Sequence, residues 1–154
     1  PSREAERTVI ERMAHPDSDL KAMPVAKLSD IAAARAQADR IYMDDKILEY
    51  ILDLVIATRP GRRDGLSERQ RDVRLDGLSD LIQFGASPRA GIALALAAKG
   101  NAFLEGRAYV TPQDVKELAP DVFRHRIVPS YEADAEGVTT DDLIARILNE
   151  LRTP

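Results

Sequence analysis

Among the residues able to do chemistry, Arg89 stands in the most informative setting, Gly85-Ala86-Ser87-Pro88-Arg89-Ala90. Ser87 can cap a helix and Pro88 suits its first position, so Arg89 leaves from the positive end of that helix. Free backbone N–H groups and a planar guanidinium converge there, an arrangement suited to an oxyanion. The other reading is an arginine paired with a nearby carboxylate, and spacing alone leaves both open. Ser87 is not read as a hydrolase nucleophile. The G-x-S-x-G elbow needs the residue after the serine to donate its N–H to an oxyanion, and Pro88 has none.

Other catalytic chemistry finds little support. There is no cysteine, which removes disulfides, thiolate zinc sites, iron–sulfur clusters and a cysteine nucleophile. The two histidines, His15 and His125, are far apart and outside any H-E-x-x-H spacing, so no zinc site or other metal site is expected. The acidic pairs Asp44-Asp45 and Asp141-Asp142 fall where helices begin, which the helix dipole favours without any metal. No G-x-x-x-x-G-K-[ST] loop and no G-x-G-x-x-G turn is present, so the chain cannot cradle a nucleotide alone in either familiar way. With 22 basic and 26 acidic residues the net charge is −4, the wrong sign for a dedicated nucleic-acid binder. No apolar run reaches the length of a membrane span, and no signal peptide opens the chain. A soluble, cytoplasmic protein is expected. Its first residue, Pro1, hints at a fragment or a processed product.

The elements that would position Arg89 read as helices throughout. At 154 residues and 44 % apolar composition, one domain with a real core is expected. A first helix is predicted over about 3–14, capped by Ser2, and 15–28 reads as a connector. Ser29 should cap a second helix over about 30–42. Asp44-Asp45 should open a third over about 45–59, with Ile47, Leu48, Ile51, Leu52 and Val55 on its buried face and Asp53 opposite. Residues 61–85 read as a long, loosely held arm of mixed charge, with Leu78, Leu81, Ile82 and Phe84 docking its distal end. The helix over about 88–104 carries no polar residue from Ala90 to Ala98, so burial on nearly all sides is expected. Thr111 should cap a short helix ending near Leu118, and Pro120 and Pro129 should bracket another. Residues 130–138 read as an acidic loop, and 140–152 as the last helix.

The hexapeptide at Gly85–Ala90 does not stand alone. Ile41-Tyr42-Met43-Asp44-Asp45, Ala57-Thr58-Arg59, Gly106-Arg107-Ala108-Tyr109-Val110-Thr111-Pro112-Gln113-Asp114-Val115 and Arg124-His125-Arg126-Ile127 follow one another in a recognisable order. Together with Pro1–Glu4 and Glu136–Thr139, they make the chain resemble the C-terminal portion of MoxR-type AAA+ ATPases almost end to end. That portion is the helical lid that follows the nucleotide-binding core. The resemblance implies an all-α helical bundle, one lid domain over 1–154, with an extra arm at about 61–85. It implies that Arg89 is similar to the second sensor residue, which reaches the γ-phosphate of ATP, with Ser87 and Pro88 presetting its geometry. ATP, and Mg2+ held by the absent core, are the implied cofactors. The implied partners are that core, like subunits in a homo-hexamer, and von Willebrand A-domain proteins, with a chaperone-like role in maturing complexes. The chain alone is not expected to hydrolyse ATP. A stand-alone helical interaction module, or a helix-turn-helix DNA binder, is the alternative. His125 and Arg126 receive no role at this stage.

Overall fold

The Ser2 hydroxyl accepts the N–H of Ala5 at 3.2 Å and so starts α1, Arg3–Met13, with Glu4 and Glu6 at its positive end. The computed structural model describes residues 1–14 and 22–154, so His15 and the first part of the expected connector lie outside the described residues. Two compact units divide the chain, Pro1–Ala32 and Ala33–Pro154. In the first, α1 has no buried residue, and Val9, Ile10 and Met13 are all more than half exposed.

The second helix, α2, spans Leu28–Asp39 instead of 30–42, and Ser29 is not its cap. Asp30, three residues after Lys27, reaches back and accepts the Lys27 N–H at 2.8 Å, so the helix begins two residues early. It ends early because Tyr42 pairs with Tyr109 in an isolated bridge.

Asp44 caps α3, Asp45–Ala57, by accepting the Lys46 N–H at 2.9 Å. The buried face differs from the expected one. Tyr50 and Leu54 are buried with Ile47, Ile51 and Val55, whereas Leu48 and Leu52 are about half exposed. Asp53, expected on the solvent side, is buried. Its carboxylate accepts the Ser67 N–H at 2.8 Å and the Ser67 hydroxyl at 2.7 Å. A carboxylate that ties down a loop can be buried because its oxygens are satisfied.

That tie corrects the reading of 61–85 as loosely held. The Gln70 side-chain amide donates to the Arg152 carbonyl at 2.8 Å and accepts the Arg152 N–H at 2.9 Å. Gln70 and Leu75 are buried, and α4 (Leu78–Leu81) and β1 (Ile82–Phe84) complete the segment. Leu78, Leu81 and Ile82 dock as expected, but Phe84 stays exposed. Proteolysis of a folded segment requires local opening. Trypsin should therefore cut after Arg7 and Arg12 of α1 before it cuts after Arg69, Arg71 or Arg74. The reverse order in a mass-spectrometric time course would show that the arm opens more easily than α1.

The helix α5, Pro88–Leu104, packs against α3 on one side and α6 on another. It is not buried all round. Ala90, Leu94, Ala98 and Ala102 form its inner stripe, while Ile92 and Leu96 are more than 60 % exposed. Small alanines let α6 approach closely along that stripe.

Thr111 caps α6, Pro112–Phe123, in a reciprocal capping box with Asp114. The two short helices expected on either side of Pro120 are one helix. Val115, Ala119 and Phe123 make a single buried stripe across the proline. Burial of that stripe offsets the roughly 3 kcal/mol that a mid-helix proline costs. Asp114 also joins three elements. It accepts from the Thr111 N–H, the Thr111 hydroxyl, Asn101 of α5, and both terminal nitrogens of Arg107, at 2.5–2.8 Å.

After α6, β2 (Val128–Pro129) pairs antiparallel with β1, Phe84 opposite Val128. The acidic stretch expected as loop contains α7, Tyr131–Glu136, capped by Ser130 and closed by Gly137 in the left-handed region. The last helix, α8, Thr140–Glu150, opens with a capping box between Thr139 and Asp142 and buries Leu143, Ile144 and Ile147. The fold is an all-α bundle with one two-stranded ribbon among the described residues. No described helix is long and apolar enough to cross a membrane.

Candidate functional site

Gly85 is the first fixed point of the site. A Cβ on it would lie 2.3 Å from the Thr58 carbonyl oxygen and 2.9 Å from the Arg59 Cα, so only glycine lets the two backbones meet. Thr58, at the C-terminal end of α3, is fully buried. Its hydroxyl donates to the Val55 carbonyl at 2.7 Å and accepts the Ala86 N–H at 2.8 Å. The next residue, Arg59, donates from Nε to the Ala86 carbonyl at 2.9 Å. Both backbone polar groups of Ala86, itself buried, are therefore held by consecutive residues of α3's end.

From that anchor the chain turns outward. Ser87 has φ −83° and ψ 169°, the extended conformation that a following proline favours. Pro88 begins α5 with its φ fixed by the ring. Ser87, Pro88 and Arg89 are all exposed. The Ser87 hydroxyl makes no capping hydrogen bond, so its place as N-cap is held by backbone conformation and not by its side chain. Among the described residues Arg89 has no carboxylate partner, although other arginines do. Arg107 is paired with Asp114, and Arg124 with Asp121 and Asp141. The ion-pair reading of Arg89 thus finds no partner among the described residues, and its side chain leaves from the positive end of a 17-residue helix.

The Arg124-His125-Arg126 turn leads into β2, whose Val128 lies opposite Phe84 just before this loop. Arg126 Nε is buried without a hydrogen-bond partner, and His125 is exposed. An apolar groove of about 560 Å³ runs between α3 and α5 from Arg59 and Pro88 to Leu48 and Lys99. Among the described residues no group of three or more histidines or carboxylates converges on a metal-sized space. The site therefore presents an exposed cation and a helix end, a combination suited to an anion.

Sequence reasoning placed Arg89 at a helix start but missed the parts that fix it: Thr58, Arg59 and the close approach of Gly85. A threonine and an arginine directly after an apolar helix were visible as signals. Their partner, Ala86, is 27 and 28 residues on and could not be seen from periodicity.

Comparison with known proteins defines the class. A family model of AAA lid domains matches residues 78–147, which include β1, the Gly85–Arg89 loop, α5, α6 and most of α8. The chain is 32 % identical over its whole length to the chaperone MoxR1 of Mycobacterium tuberculosis and spans 38 % of that protein. It is 36 % identical over 86 residues to the protein MoxR of Methylorubrum extorquens, covering 53 % of this chain and 25 % of that one. A crystal structure of a candidate ATPase from Cytophaga hutchinsonii superposes with a TM-score of 0.87 at 31 % identity, over 99 % of this chain and 44 % of that one. The chain belongs to the MoxR-type AAA+ ATPases, and its residues 78–147 match their lid domain. It spans less than half the length of each of these relatives.

Proposed function

We propose that this lid closes over ATP bound to the nucleotide-binding core of a longer polypeptide, with 1–154 acting as one lid domain. ATP and Mg2+, the latter held by that core, supply the phosphoryl group and its charge neutralisation. The chain's own contribution is Arg89, presented to the terminal phosphate, with Pro88 and the extended Ser87 setting its direction. The observation that carries this reading is an exposed guanidinium, without a carboxylate partner among the described residues, on a loop held at both backbone groups of Ala86. A cation with no described carboxylate to satisfy it, carried on a well-anchored loop, is suited to an incoming anion.

The nucleotide state would then be passed to neighbouring subunits of a homo-hexamer, in the cytoplasm, to drive chaperone-like maturation of partner proteins. Von Willebrand A-domain proteins are the partners this reading favours. The likeness to a relative named as a chaperone supports the general role.

Because the chain offers one arginine and one helix end, its own ATP affinity should be millimolar or weaker, about 4 kcal/mol. Titration calorimetry on this chain and on the full-length ATPase checks the division of labour. Tight binding should appear only in the full-length protein. Micromolar ATP binding to the chain alone would contradict the lid reading.

A further inference from the structure

Arg59 is the one charged residue in the clamp that fixes the Arg89 loop. Its guanidinium is used in an uneven way. Nε donates to the Ala86 carbonyl at 2.9 Å, while no described carboxylate pairs with the terminal nitrogens. Thr58 holds the other side of the same peptide, and Gly85 permits the contact at all. Three residues beyond Ala86 comes Arg89, and Pro88 removes one of the few rotations between them. The direction in which Arg89 leaves α5 is thus set by how firmly Ala86 is held against α3.

We infer that Arg59 is a positioning residue for Arg89, acting through its Nε–H bond to the Ala86 carbonyl and not through its charge. This rests on the proposed phosphate-sensing role of Arg89. Truncating Arg59 leaves the Ala86 carbonyl without its partner and frees the loop to drift. A drift of an ångström in a charge that must meet the transition state costs up to roughly a hundredfold in rate.

Glutamine provides a sharp control. Its amide nitrogen sits at the same position along the side chain as arginine Nε, so Arg59→Gln keeps the donor and removes the charged fork. In the full-length ATPase, Arg59→Ala should lower kcat roughly tenfold to a hundredfold, with a smaller change in the KM for ATP. Arg59→Gln should recover most of that loss. The double variant Arg59→Ala/Arg89→Ala should be no slower than Arg89→Ala alone, since a mispositioned side chain that is already gone cannot be lost twice.

The inference is overturned if Arg59→Gln is as slow as Arg59→Ala, if the two losses multiply, or if Arg59→Ala runs at the parent rate while Arg89→Ala is slow. If Arg89→Ala itself runs at the parent rate, the sensing role has failed and the positioning role falls with it. Nitrogen-15 spectra of this chain report the loop separately. The Ala86, Arg89 and Gly91 amide signals should move in Arg59→Ala and stay near their parent positions in Arg59→Gln. Signals unmoved in Arg59→Ala would overturn the clamp whatever the rates show.

Discussion

Replacing Arg89 with alanine in the full-length ATPase should slow ATP hydrolysis by roughly a hundredfold or more, with a smaller loss of ATP affinity. Phosphoryl transfer spreads negative charge over the oxygens this guanidinium would face. A donor aimed at developing charge is commonly worth about 2.7–4 kcal/mol in the transition state. An interaction made mainly there lowers kcat and kcat/KM together. Lysine should restore only part of the rate, because it keeps the charge and loses the planar fork. Folding should be unaffected. Arg89 is exposed and has no described carboxylate partner, and surface changes of this kind usually move stability by about 0.5 kcal/mol or less. Steady-state rates and thermal melts on the same samples separate the two effects. A folded Arg89→Ala variant at the parent rate would make Arg89 an ordinary surface residue.

The largest stability loss is expected at Asp114. Burial alone would raise the pKa of its carboxyl. Hydrogen bonds from Arg107, from the Thr111 N–H and hydroxyl, and from Asn101 outweigh that and hold it well below the usual carboxylate range. Asp114→Ala removes the centre of this network. Asn101 and the Thr111 N–H lose their acceptor, α6 loses its capping box, and a cost of about 3 kcal/mol follows. For a domain of this size that is roughly 6–12 °C in melting temperature. The pH dependence has a definite sign. A carboxyl whose folded pKa is depressed stabilises the fold above its unfolded pKa, and that stability is lost as pH falls towards the folded value. Parent protein should therefore lose stability below about pH 4, and Asp114→Ala should lose less over the same range. A variant as stable as the parent at neutral pH would mean that the network can be replaced by water or by repacking.

Local signals carried the helical elements well. Ser2, Asp44 and Thr111 each cap the helix they announce, and the Thr139–Asp142 box opens the last one. These cues act within three residues, so sequence displays them directly. Two misreadings are local, the start of α2 set by Asp30 and Lys27 and the helix α7 capped by Ser130, but the others depend on residues far away in the chain. Asp53 looked solvent-facing because Ser67, its partner, belongs to a segment that periodicity could not fold. That segment looked loose because Gln70 finds the Arg152 backbone 82 residues on. Ile92 and Leu96 looked buried because the all-apolar run of α5 gives no hint of which face meets α3 and α6. Pro120 looked like a break because the burial of Phe123 is a tertiary effect that overrides local propensity. At the site, the type and placement of Arg89 were legible, whereas the clamp of Thr58, Arg59 and Gly85 required the fold.

In the proposed function, Arg89 meets the terminal phosphate of ATP bound to the adjoining core. A structure of the full-length ATPase with a non-hydrolysable ATP analogue and Mg2+ measures this directly. An Arg89 guanidinium nitrogen should lie at hydrogen-bond distance, about 2.7–3.2 Å, from a γ-phosphate oxygen, with the Ala86 peptide still held by Thr58 and Arg59. An Arg89 side chain paired with a carboxylate, or pointing away from the nucleotide in the closed state, would contradict it.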